Sequence, residues 1–355
     1  MAQDDWAIVV GVQFYPGLTN LEGPINDATE VYDWLVSPGG GQVPPAKVAL
    51  ITSPPPPYNP PLPPPQNAEP KFATVQEAFN NLVYVAEENA AAGNGKRVGR
   101  RLYIYMSGHG CAPRLNDAAL LAANATRTIV GYHILGRLYA DWFLRSNYFD
   151  EVVLLMDCCR ESYPQAPPNI PPYIDTTGPS ALDKSKLFYG FATKWSRMSR
   201  ERPMPDGHVH GVFTFALLEG LKGAASDPKS GQITAGSLGD YLYTNIKSFL
   251  RPEDLADPDI PKDPDIDYDK NPANPLIIAT VPARRYKVTI NLPASTAGKK
   301  VEVLTDEFQL VESTNAAPPA WQLDLTRGTY LVQILADGSQ KVFDVTGIGD
   351  VNVNI

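Results

Sequence analysis

Four histidines and three cysteines carry most of the nucleophilic and proton-transfer capacity of this 355-residue chain. Cysteine catalysis needs a thiolate and a nearby imidazole, which takes the thiol proton and later protonates the leaving group. A free cysteine has a pKa of about 8.5, and a histidine partner lowers it. Of His109, His133, His208 and His210, only His109 lies in a glycine-flanked turn, Ser107-Gly108-His109-Gly110, directly after an apolar run. Cys159 lies fifty positions later, just past another apolar run and the pair Asp157-Cys158. If the two runs are neighbouring strands, His109 and Cys159 meet at one edge of a sheet. Gly108 and Gly110 permit a sharp turn and a close approach to substrate. The amides of Gly110 and Cys159 could then donate to a developing oxyanion, each such donor being worth about 10²–10³ in rate.

Positioning that pair requires alternating elements. Short apolar runs at 6–12, 48–51, 101–106, 151–156 and 187–193 read as buried strands. Two capping-box patterns, Asp27 to Glu30 and Thr74 to Glu77, predict helix starts, and further helices are expected at 134–145, 213–221 and 238–249. Strands alternating with helices give an α/β fold with a mostly parallel sheet covered on both faces, and ligands bind beyond the carboxyl ends of such strands. Residues 1–250 are therefore expected to form one domain. Residues 251–280 shift to Asp and Pro and read as a linker. Residues 281–355 alternate apolar and polar positions without a helix signal, which predicts a small antiparallel, sandwich-like β domain.

Composition narrows the function classes. With 30 basic and 39 acidic residues the net charge is −9, which disfavours nucleic-acid and membrane-surface binding. No apolar run reaches a membrane span, and the first residues lack the basic region of a secretory leader. Three unpatterned cysteines suggest reduced thiols and a cytoplasmic setting. The 35 prolines cluster in loops, one of them just beyond Cys159. Cys111 and Cys158 lack metal-ligand spacing, so no metal site is expected there. His208 and His210 read as a solvated loop. The Asp-rich stretch 257–269 could attract calcium, but it lacks the glycine and terminal glutamate of an EF-hand loop and reads mainly as an acidic spacer. No cofactor is expected.

Ser107-Gly108-His109-Gly110 after one strand and Asp157-Cys158-Cys159 after another resemble the caspase-like cysteine peptidases, the clan of caspases, metacaspases and paracaspases. Tyr15 with the segment 21–28, and the segment 211–218, extend the resemblance over roughly residues 5–250. It is nearest to metacaspase-like (orthocaspase-like) proteins of bacterial type with a C-terminal β domain. The resemblance implies a cysteine endopeptidase with His109 as base and general acid and Cys159, not Cys158, as nucleophile. Caspases carry glutamine where Asp157 stands; metacaspases carry aspartate there and a second one in the segment matched by Asn26-Asp27. Asp27 and Asp157 are thus expected to form a pocket for a substrate Arg or Lys, because two converging carboxylates need a cation between them. Arg160 and the run 194–197 look more like caspases, which keeps cleavage after Asp, or a gated signalling module of the same fold, as alternatives. The resemblance further implies possible self-cleavage at Lys184 or Lys186, a protein or peptide substrate, and calcium activation as in some metacaspases. The C-terminal β domain is the expected docking element for any partner protein.

Overall fold

The computed structural model describes residues 2–54, 63–114, 116–160, 168–174, 185–194, 199–258, 260, 262–315 and 318–355. Contacts divide the chain into two units: Met1–Leu218 with Thr234–Ala279, and Glu219–Ile233 with Thr280–Ile355. No helix among the described residues is long and apolar enough to cross a membrane.

The first unit is an α/β layer structure. Its strands and helices run β1 (Trp6–Gly11), α1 (Pro24–Val36), β2 (Val48–Thr52), α2 (Phe72–Ala91), β3 (Gly99–Gly108), β4 (Gly110–Cys111), β5 (Ala119–Leu121), β6 (His133–Leu135), α3 (Gly136–Arg145), β7 (Phe149–Cys158) and β8 (Lys186–Phe191). There follow β9 (Glu201–Pro203), β10 (Val209–Gly211), α4 (Val212–Glu219), β11 (Gln232–Thr234, of which only Thr234 belongs to this unit), α5 (Ala235–Asn245), α6 (Pro252–Ala256), β12 (Asp265–Tyr268) and β13 (Ile277–Thr280). The central sheet has the order β12-β8-β7-β3-β1-β2. It is parallel except for β12, which runs antiparallel to β8.

Side chains of successive strand residues point to opposite faces, and here both faces are covered. Ile8, Val10, Leu102, Ile104, Met106, Val152, Leu154 and Met156 share one core cluster with Val75, Phe79 and Leu82 of α2 and Tyr139 and Phe143 of α3. The intervening residues Ala7, Val9, Tyr103, Tyr105, Val153 and Leu155 are equally buried on the other face, where α1 packs on β1, β2 and β3. That double burial explains why these strands read as continuous apolar runs.

Both expected capping boxes are displaced. Helix α1 starts at Pro24, whose fixed φ suits a first helical position. The amides of Glu22 and Gly23 at its start donate to the Glu201 carboxylate, 179 and 178 positions away in sequence. Asp27 therefore lies inside the first turn and is no cap. Helix α2 starts at Phe72, whose amide donates to Asn124 Oδ1 at 3.1 Å. Distant side chains satisfy the orphan donors that a local pattern had been expected to satisfy.

The expected linker is also corrected. Residues 265–268 form edge strand β12, and the acidic side chains around it meet bases: Arg160–Asp265 at 2.6 Å, Arg137–Asp267 at 2.7 Å and Lys247–Asp263 at 2.9 Å. These carboxylates neutralise arginine and lysine and do not converge on a cation.

The second unit contains β14 (Arg285–Asn291), β15 (Val301–Thr305), β16 (Leu310–Thr314), β17 (Ala320–Thr326), β18 (Gly328–Ile334), β19 (Gln340–Val345) and β20 (Val351–Asn354). They form a three-stranded sheet, β17-β14-β20, and a four-stranded sheet, β16-β15-β18-β19. All pairings are antiparallel except β14 with β20. Val288, Ile290, Val301, Val303, Val332 and Ile334 are buried at every second position, as the alternation predicts. Residues 219–233 join this unit through Arg284 N–H to Gly223 O and Val281 N–H to Gly231 O.

Candidate active site

The parallel pairing of β3 with β7 builds the site. Its register matches Ser107 with Asp157 and Gly108 with Cys158. The next residues, His109 and Cys159, leave the ladder side by side, on backbones about 4.8 Å apart. Both line a cavity of about 280 Å³ with Asp27, Ser107, Asp157 and Glu201. Strand alternation also separates the adjacent cysteines. Cys158 turns into the core that contains Met106 and Cys111, while Cys159 is half-exposed at the cavity. Burial, reinforced by Cys159 and Asp157, pushes the Cys158 thiol well above its ordinary range. Burial pushes Cys111 up to about 12. Neither is available as a thiolate near neutral pH. None of the three cysteines is in a disulfide.

His109 is held from both ends. Its amide donates to Tyr15 Oη at 2.9 Å, and the fully buried Tyr15 hydroxyl donates to Leu121 O at 3.0 Å. Leu121 N–H returns a bond to His109 O at 2.8 Å. The Tyr15 and His109 rings meet edge to face with centroids 4.8 Å apart. His109 Nε2 lies 2.7 Å from Thr19 O. A carbonyl only accepts, so Nε2 carries the proton and Nδ1 is the basic atom. The amide of Ser199 donates to Cys159 Sγ at 3.3 Å, a contact that favours negative charge on sulfur.

Two glycines are required by space. Gly108 has φ of +154°, and a Cβ there would sit 2.5 Å from Tyr15 Oη. A Cβ on Gly110 would lie 2.5 Å from Cys159 O and 2.8 Å from Cys158 Sγ. Because Leu121 N–H bonds His109 O, the Gly110–Leu120 pair is one that the antiparallel ladder leaves unbonded. The Gly110 amide is thus not consumed by β5.

Asp27 and Asp157 are both buried at the cavity. Asp157 accepts from Ser199 Oγ at 2.6 Å and from Thr214 N–H at 3.0 Å and Oγ1 at 2.7 Å. Asp27 accepts from Ser107 Oγ at 3.2 Å, Gly211 N–H at 3.1 Å and His210 Nδ1 at 2.8 Å. Burial, with the Asp157 charge adding to it, raises Asp27 to about 7 against the opposing His210 bond. Burial likewise raises Asp157.

His210 is the main residue that sequence reasoning missed. Expected in a solvated loop, it is fully buried on β10, and Asp27, Asp206 and Glu30 surround it. Burial works to lower its pKa, but these carboxylates outweigh it and raise it. No local pattern announces this contact, which spans 183 positions. His133 is a structural residue, bonded to Val130 O and Asn169 N–H.

The remaining expected residues separate. Arg160 is buried beside the cavity loop and donates to Asp117 O, Thr193 O and Asp265. Lys184 and residues 195–197 of the caspase-like run lie outside the described residues. Lys186 opens β8, paired with Glu151, and its Nζ donates to Asn274 Oδ1.

No family model matches the chain. No curated protein matches it. Among solved structures it is similar to caspase-1 from Spodoptera frugiperda, with 11% identity and a TM-score of 0.42, over 75% of this chain and 86% of that chain.

Proposed function

We propose that this protein is a caspase-like cysteine endopeptidase that cuts after Arg or Lys. The observation that carries this reading is the register of β3 with β7, which brings His109 and Cys159 out side by side into one acid-lined cavity. His109 Nδ1 takes the thiol proton of Cys159, and Sγ attacks the scissile carbonyl carbon. The oxyanion is received by the amides of Gly110 and Cys159. Collapse breaks the C–N bond, and His109 gives its proton to the leaving amine. His109 then activates a water that hydrolyses the thioester and regenerates the thiol.

The basic preference follows from acceptor capacity. A carboxylate offers about four lone-pair sites. Asp27 and Asp157 each already accept from three protein donors. Among the described residues one acceptor site remains on each, so a substrate cation would meet two carboxylates, and a guanidinium has N–H groups for both. Glu201 adds a third carboxylate to the lining. Fluorogenic peptides ending in Arg, Lys or Asp test the reading. Turnover of the Arg and Lys peptides, lost in Cys159→Ala, is expected. Turnover of the Asp peptide alone would overturn the specificity, and full turnover by Cys159→Ala would overturn the nucleophile.

A further inference from the structure

We infer that His210, Asp206 and Glu30 form a binding site for a divalent transition metal of the zinc type, one imidazole away from the acidic cavity. Among the described residues this is the one grouping of three potential ligand atoms, all within 4.8 Å of one another.

His210 Nδ1 lies 2.8 Å from Asp27 Oδ1, and that contact occupies this ring nitrogen. Nε2 then faces Asp206 Oδ2 at 3.0 Å and Glu30 Oε1 at 3.5 Å. One imidazole nitrogen and two carboxylate oxygens thus converge on one point. A divalent ion held there would bond all three and offset both carboxylate charges.

The geometry suits such an ion. Zinc bonds imidazole nitrogen and carboxylate oxygen at about 2.0–2.2 Å, so tetrahedral ligand atoms stand about 3.3 Å apart. The two Nε2–oxygen distances bracket that value. His210 also has the outer partner that metal-bound histidines use, a carboxylate on the second ring nitrogen that fixes tautomer and ring orientation. Asp206 is held by His208 N–H on its Oδ1 at 3.0 Å, which leaves Oδ2 for the metal. Asp206 and Glu30 keep about a third of their side-chain surface exposed, so an ion and a completing water can enter. An imidazole ligand selects zinc-like ions over calcium or magnesium, which prefer oxygen alone.

The test is zinc binding, independent of any peptidase activity. The Cys159→Ala protein is used, so that the His109–Cys159 pair cannot hold the metal. It is freed of metal and titrated with zinc chloride against a chromophoric chelator. One equivalent should bind, and the affinity should fall at least tenfold in the Glu30→Gln/Asp206→Asn double variant. Both residues are half-exposed, so that variant is expected to fold, which circular dichroism checks. Absence of zinc binding, or equal affinity in the double variant, would overturn the site. Displacement of zinc by an equal concentration of calcium would overturn the metal class.

Discussion

At the scale of single residues, function depends on which groups are kept from ionising as much as on which are exposed. Two thiols near the cavity are buried and protonated, and strand alternation alone decides that Cys159 is the third. Tyr15 sits behind this choice, because its hydroxyl joins the His109 amide to the Leu121 carbonyl. Tyr15→Phe removes that junction and leaves buried partners unsatisfied, which costs about 1–3 kcal/mol. A fall in kcat with little change in KM is expected in steady-state kinetics, since the histidine is displaced and the substrate pocket is not. Asp117 supplies a pH prediction away from the site. Burial raises its carboxyl to about 7 against bonds from the amides of Arg137, Ala118 and Leu138. A folded-state pKa above the unfolded value of about 3.9 contributes stability at low pH that is lost as pH rises toward 7. The Tm should therefore fall between pH 5 and pH 8, and the fall should be smaller in Asp117→Asn, as thermal melts would show. The candidate dyad was legible because glycine and polar residues interrupt two apolar runs at the positions where the ladder ends. His210 was not, because Asp27 and Glu30, two of its three carboxylate partners, come from α1, far away in sequence.

At the scale of elements, apolar patterning disclosed the central strands and little of what holds their ends. Strands β1, β3 and β7 are buried on both faces, so hydrophobicity alone marks them. Helix starts were misplaced because Glu201 and Asn124 satisfy amides that a nearby capping box would have satisfied. Strand β12 escaped notice for a related reason. An edge strand buries little, and Asp265-Ile266-Asp267-Tyr268 is anchored by arginines that emerge from β7 and α3. Arg160 is 1% exposed, whereas its partner Asp265 is 45% exposed. Asp265→Asn would take a carboxylate away from a buried guanidinium that also donates to the carbonyls of Asp117 and Thr193. With the exposed side screened, a loss of about 1–3 kcal/mol is expected in urea unfolding. Arg160 directly follows Cys159, so the same substitution should lower turnover while the Arg-over-Asp substrate preference stays unchanged.

At the scale of the whole molecule, unit boundaries follow hydrogen bonding and not the composition shift at residue 251. The Asp- and Pro-rich stretch belongs to the first unit through β12, and residues 219–233, which precede it, belong to the second. The sequence pattern could not separate these possibilities, since an acidic edge strand and an acidic spacer have the same composition. Truncation distinguishes them. A chain ending at Leu250 lacks β12, strips Arg160 and Arg137 of Asp265 and Asp267, and uncovers the β8 edge with Phe188 and Phe191. Unprotected sheet edges pair with other chains, so aggregation is expected in size-exclusion chromatography. A chain ending at Thr280 keeps all six strands of the central sheet. It loses the β14–β20 sheets, and Gly223 and Gly231 lose the bonds from Arg284 and Val281. Residues 219–233 should then fray, with a lower Tm but with parallel-sheet circular dichroism and Arg-peptide turnover retained. Equal behaviour of the two truncated chains would show that β12 contributes nothing to closing the sheet, and the boundary would return to residue 250.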